Sequence, residues 1–142
     1  MDIDWAALVP ELYVTDISKS LNFYVDVLDF EILFDRPEEK FAYLAMGKAQ
    51  LMLEQIGDTQ GRSWQTGRLE YPLGRGINFQ IEVSNAAELI NSLEAINHPF
   101  YRELEERWYR VGDTLEGQKQ FLVQDPDGYL LRFCEILGSE PV

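Results

Sequence analysis

The sequence predicts an α+β fold of two βαβββ repeats, forming a curved mixed-sheet cleft with helices outside. Three observations carry that prediction. A strand-like run followed by an amphipathic helical run occurs twice, with Val14 and Val83 in equivalent places 69 residues apart. Shorter β-like runs bounded by turn residues follow each helix. The strands alternate apolar with polar side chains, so each offers one face to the helices and one polar face elsewhere.

The elements follow in order. "LVPELYV" (8–14) reads as the first strand and leads to Asp16, a natural N-cap for "ISKSLNFYVDVL", where Ile17, Leu21, Tyr24 and Leu28 recur at helical spacing. "FEILFD" (30–35), "KFAYLAM" (40–46) and "AQLMLEQ" (49–55) complete the first repeat. "INFQIEV" (77–83) opens the second. Asn85 with Glu88 resembles a capping box before "AAELINSLEAI", in which Leu89, Ile90, Leu93 and Ile96 share a face. Strands are then expected at 100–104, 107–113, 118–124 and 129–136. The acidic turn Asp125-Pro126-Asp127-Gly128 joins the last two as a hairpin. The chain is one domain over 1–142, with repeat one at about 8–56, a Gly-rich connection at 57–76 and repeat two at about 77–137. A twenty-residue connection without periodicity is more often functional than idle.

Composition bounds the function. With 142 residues, 46% hydrophobic and 13% aromatic, the chain can build a real core. Its 25 acidic against 12 basic residues, a formal charge of −13, argue against nucleic acid or an anionic membrane as partner and suit a cationic ligand. A single cysteine, Cys134, excludes an internal disulfide, and no run approaches the ~18 apolar residues of a membrane span, so a cytoplasmic location is expected. The one histidine, His98, lies in "INHPF" at a helix exit and reads as a turn residue. Cys134 reads as a buried, inert thiol. No nucleophile triad or phosphate-binding loop is present.

Arg132, between Leu131 and Phe133, poses a question of face. If the two apolar neighbours enter the core, alternation sends the guanidinium to the polar face, where it needs a partner. Glu11, Glu54 and Glu82 are the expected carboxylates.

The run "VTDISKSLNFYVDVL" (14–28) and the ending "DPDGYLLRF" resemble the vicinal-oxygen-chelate superfamily, which includes glyoxalases, extradiol dioxygenases, fosfomycin-resistance enzymes and bleomycin-binding proteins. "RPEEKFAYL", "AQLMLE", "RGINFQIEV" and "RWYRVGD", in that order, resemble the bleomycin-resistance group within it. The chain departs at Asp29, where the family usually has Gly; Asp tolerates the left-handed conformation, so no change of fold is expected.

The resemblance carries two expectations. The enzymes hold a divalent metal with His and Glu from both repeats, at positions that project onto about Val9, Met52, Asn78 and Arg132. Those side chains are poor ligands or cannot ligate, so no metal, no cofactor and no enzymatic activity are expected, with a metal-dependent glyoxalase- or dioxygenase-like enzyme as the alternative. The binding relatives imply a bleomycin-like glycopeptide as ligand, held at the interface of a homodimer whose N-terminal strand is exchanged around a proline, here Pro10. Some members stack the ligand on tryptophans near positions 80 and 117, where this chain has Gln80 and Gly117. The expected ligand-binding residues are Phe34, Phe41, Glu54, Trp64, Asn78, Gln80, Trp108, Tyr109 and Arg132, aromatic rings for a planar group and carboxylates for a cation.

Overall fold

The computed structural model describes residues 2–57 and 63–142. Strand β1 (Glu11–Val14) leads to helix α1 (Ile17–Leu21), which continues as a π-helical segment over Asn22–Val27. Asp16 caps α1 as expected, its Oδ1 accepting from the amides of Ser18 and Lys19. The segment ends where Asp29 takes φ 68°, the left-handed conformation anticipated for this departure from the family pattern. Strands β2 (Glu31–Arg36), β3 (Phe41–Met46) and β4 (Ala49–Gln55) follow. The second repeat comprises β5 (Asn78–Glu82), α2 (Ala86–Ala95), β6 (Arg102–Val111), β7 (Thr114–Gln124) and β8 (Leu130–Pro141).

The two repeats build matching sheets, ordered β1-β4-β3-β2 and β5-β8-β7-β6. In each, the first strand pairs in parallel with the last and the other pairings are antiparallel. Repeat two departs from expectation in its later strands. The runs expected at 100–104 and 107–113 are one strand, β6, interrupted by a bulge between Arg102 and Glu105. An extra residue there reverses the alternation midway, which is why the periodicity reads as two runs. β7 and β8 are longer than expected because their distal ends are polar or contain Gly117 and Gly138, and carry no apolar alternation.

Leu12, Val14, Tyr24, Leu53, Leu93, Phe121, Leu131 and Phe133, drawn from both sheets and both helices, belong to one buried core. The DPDG turn ties the repeats together. Asp125 Oδ2 accepts from Tyr24 Oη at 2.7 Å, and Asp127 accepts from Thr15 Oγ1 at 2.6 Å and from the Thr15 amide at 3.1 Å. Tyr129 Oη donates to the Tyr13 carbonyl at 2.8 Å. Gly128 closes the turn at φ 94°, and a Cβ there would stand 2.5 Å from Pro72 Cα. Among the described residues no helix is long and apolar enough to cross a membrane.

Candidate ligand-binding site

Each sheet turns one face to the helices and the other, its open face, away from them. Phe41, Tyr43, Gln120 and Cys134 on that face are themselves buried, and register decides which side chains meet there. On the first sheet two cross-strand rows occupy the open face. One runs Arg36, Phe41, Glu54, Tyr13, and the other Phe34, Tyr43, Met52, Glu11. Three of the expected residues, Phe34, Phe41 and Glu54, are thereby brought together. Phe34 stacks on Tyr43 with centroids 5.0 Å apart, and Phe41 lies 6.0 Å from Phe34.

The segment before β1 covers part of this face. Trp5 meets Phe34 and Tyr43 edge-on, at 5.9 and 5.3 Å. It is positioned through Gln50, whose Oε1 accepts from the Ala6 amide at 2.9 Å and whose Nε2 donates to the Asp4 carbonyl at 2.7 Å. Tyr43 Oη donates to the same Gln50 oxygen. The strand expected from residue 8 begins only at Glu11, and residues 4–6 pack against the first sheet of their own chain. Sequence reading missed Trp5, Tyr13 and Tyr43. The alternation of Phe41 and Tyr43 about Ala42 in "FAYL" was the available signal for the last.

Charge on this face is mixed. Burial pushes the Glu11 carboxyl above its ordinary value, the neighbouring Glu54 adds to the rise, and the Arg36 guanidinium opposes it. The connection approaches the same face, with the Trp64 amide donating to Tyr13 Oη at 2.9 Å. The arginine at 62 of that connection lies outside the described residues.

The open face of the second sheet is polar. Its rows run Arg102, Leu122, Arg132, Gln80, and Glu105, Gln120, Cys134, Glu82. Gln120 Nε2 donates to Glu105 Oε1 at 3.0 Å and to Tyr109 Oη at 2.8 Å, while Gln118 Nε2 donates to Gln120 Oε1 at 2.8 Å. Arg132 does occupy the open face, since Leu131 and Phe133 are fully buried in the core. Its partner differs from expectation. Arg132 Nε donates to Asn78 Oδ1 at 3.1 Å, and it makes no ion pair with a carboxylate among the described residues. Glu11 and Glu54 belong to the other sheet, and Glu82 is paired along the strand with Cys134, so the amide of Asn78 is the acceptor within reach.

Trp108 and Tyr109, adjacent in sequence, part company. Tyr109 joins the glutamine network, whereas Trp108 faces the opposite way and lies against Gly117, where a Cβ would meet the indole at 2.6 Å. Its Nε1 donates to Glu106 Oε2 at 2.9 Å. Trp108 is therefore off the open face, a correction that follows from the two-residue period of a strand. Cys134 is buried, its thiol pushed up by desolvation and by Glu82 and held down by Arg132. His98 has the turn role expected: Nε2 lies 2.7 Å from the Gln124 carbonyl oxygen and the ring packs on Phe23 at 4.8 Å.

The positions that would hold a metal in the enzyme relatives do not fit one. Of the projected positions Val9, Met52, Asn78 and Arg132, register sets Met52 beside Glu11, while the Arg132 guanidinium donates to the Asn78 amide oxygen. A thioether, one carboxylate, an amide and a permanent cation are not a divalent-metal donor set. Among the described residues no group of three His, Cys, Asp or Glu could hold an ion. A groove of about 840 Å³ between the β3–β4 turn and the start of α2 contains none of the expected site residues.

The two open faces belong to separate four-stranded sheets. Each carries part of the expected set: aromatic and acidic on the first sheet, amide and guanidinium on the second.

Comparison with known proteins agrees with this architecture. The profile of the Glyoxalase/Bleomycin resistance protein/Dioxygenase superfamily matches residues 3–133. A bleomycin resistance protein from Geobacillus stearothermophilus is 29% identical over 139 residues, covering 92% of this chain and 97% of the relative. One from Staphylococcus aureus matches with the same identity and coverage. Among solved structures, TioX from Micromonospora sp. ML1 has a TM-score of 0.68 at 22% identity, covering 94% of this chain and 100% of that one. An integron cassette protein from V. cholerae has a TM-score of 0.68 at 20% identity, covering 95% and 98%. Both structures share the fold. With two βαβββ repeats in this strand order and a profile match along nearly its whole length, the chain belongs to the Glyoxalase/Bleomycin resistance protein/Dioxygenase superfamily.

Proposed function

We propose that this protein sequesters a cationic, partly planar small molecule of the bleomycin type, without chemistry, in a cleft completed between two copies of the chain. One observation carries the reading: the first sheet's open face sets Phe34, Phe41 and Tyr43 in register with Glu11 and Glu54. Ring stacking contributes about 0.5–1.5 kcal/mol beyond area burial, and a charge-assisted bond about 1.5–3 kcal/mol. Asn78, Gln80, Tyr109 and Arg132 of the second sheet supply the polar wall facing this surface in the dimer, with Trp64 at its rim. The 29% identity to bleomycin resistance proteins supports the choice of ligand.

The test is calorimetric titration with bleomycin, metal-free and copper-loaded. Saturable binding at one ligand per chain is expected, weakened tenfold or more by Phe41→Leu and by Glu54→Gln. Absence of binding heat for both forms of the drug sinks the proposal.

A further inference from the structure

A cation already occupies the aromatic surface that a cationic ligand would use. The Arg36 guanidinium carbon stands 4.0 Å from the Phe41 ring centroid and 5.8 Å from that of Phe34. In the same cross-strand row come Phe41 and then Glu54, and Glu11 lies on the strand beyond. The core does not require an arginine here. The side chain is 42% exposed, and its one described ion-pair partner is Glu39, at 2.7 Å and 50% exposed. An exposed pair of that kind holds a side chain loosely.

We infer that the corner formed by Phe41, Phe34, Glu54 and Glu11 is a receptor for a planar cation, a guanidinium or amidinium, and that Arg36 is its internal occupant in the free protein. The inference rests on the reading of this face as the ligand site and names the chemical group the face selects. A flat cation lies parallel on a ring while its N–H groups reach carboxylates in the plane, which a compact ammonium cannot do equally well. An incoming guanidinium replaces Arg36 like for like. The rings keep a cation above them and the carboxylates keep a counter-charge, while Arg36 moves toward solvent with Glu39 on the Pro37–Glu39 turn. A neutral planar molecule making the same exchange leaves Glu11 and Glu54 uncompensated, so it is rejected.

The experiment titrates the intact chain with benzamidinium and with its neutral isostere benzamide, using wild type, Arg36→Gln, and Arg36→Gln combined with Phe41→Leu. Removing the internal occupant is expected to tighten benzamidinium binding at least tenfold, to leave benzamide unchanged, and to lose its effect when Phe41 is also replaced. In the wild type, the Arg36 Nε–Hε NMR resonance is expected to move on saturation with benzamidinium and to stay in place with benzamide. Unchanged or weaker benzamidinium binding by Arg36→Gln, an equal gain for benzamide, or an unmoved Arg36 resonance overturns the inference. Bleomycin titration of the same proteins separates the two claims. Silence toward bleomycin beside a benzamidinium gain sinks the glycopeptide reading alone, whereas bleomycin binding without that gain sinks the receptor alone.

Discussion

Asp125 shows how much one residue in a turn can carry. It is 3% exposed, and desolvation pushes its carboxyl from 3.8 to about 6, although bonds from Tyr24 Oη and from the Tyr129 and Asp127 amides pull the other way. The folded state therefore binds the proton more tightly than the unfolded chain. The stabilising contribution of this group is fully present below pH ~4 and is lost as pH rises through about 6, a decline of roughly 3 kcal/mol at most. Asp125→Asn is expected to flatten that window of a pH series of urea melts. Tyr24→Phe removes a bond to a carboxylate charged at neutral pH, so it is expected to cost about 1.5–3 kcal/mol at pH 7.5 and clearly less at pH 4. An equal cost at both pH values would show that the hydroxyl does not act through Asp125. Arg132→Met is gentler. Its guanidinium bonds one exposed amide, so a stability loss below about 1 kcal/mol is expected, with the larger effect on ligand affinity.

At the scale of elements, the β6–β7 hairpin depends on a large ring matched to a missing side chain. Trp108 opposes Gly117 in register, and a methyl on Gly117 would stand 2.6 Å from the indole. Gly117→Ala is expected to destabilise by about 1–3 kcal/mol through overpacking. In the Trp108→Ala background the same change is expected to cost little, because the obstructing ring is gone; thermal melts of the four proteins measure the coupling. Additive losses would mean that the glycine serves backbone conformation instead. β1 is the contrasting case. It has four residues, and its entry is occupied by Pro10, whose carbonyl accepts from the Met52 amide at 2.9 Å. What precedes it is held by side chains, Gln50 and the Trp5 ring contacts, and not by a ladder.

For the whole molecule, the question is what completes the two open faces. One chain leaves Trp5 57% exposed and Tyr109 39% exposed beside half-buried carboxylates and amides. A symmetric pair of chains would bring the first sheet of each against the second sheet of the other and close two equivalent clefts. Sedimentation at micromolar concentration is expected to give a dimer, and the bleomycin titration two sites per dimer. A monomer that binds ligand at full stoichiometry would confine the site to one sheet.

The repeat, the helix caps and the side of the sheet that Arg132 takes were all legible in the chain itself. They depend on local relations: Asp16 and Asn85 cap the turn that follows them, Asp29 accepts the left-handed backbone, and Leu131 and Phe133 set the face of the residue between them. The partners were not. That Arg132 meets Asn78 and not a glutamate depends on register between strands separated in the chain, and that Arg36 lies over Phe41 depends on how the Pro37–Glu39 turn closes the β2–β3 hairpin. Bulges between Ile32 and Phe34, Arg102 and Glu105, and Gly117 and Gln118 shift that register by amounts no periodicity reveals. Trp5 illustrates the limit most plainly. Nothing in "MDIDWAALVP" sends the indole to Phe34 and Tyr43; only the folded sheet creates the edge-on site it fills, because contacts between distant segments form after, and at the cost of, chain closure that local pattern does not encode.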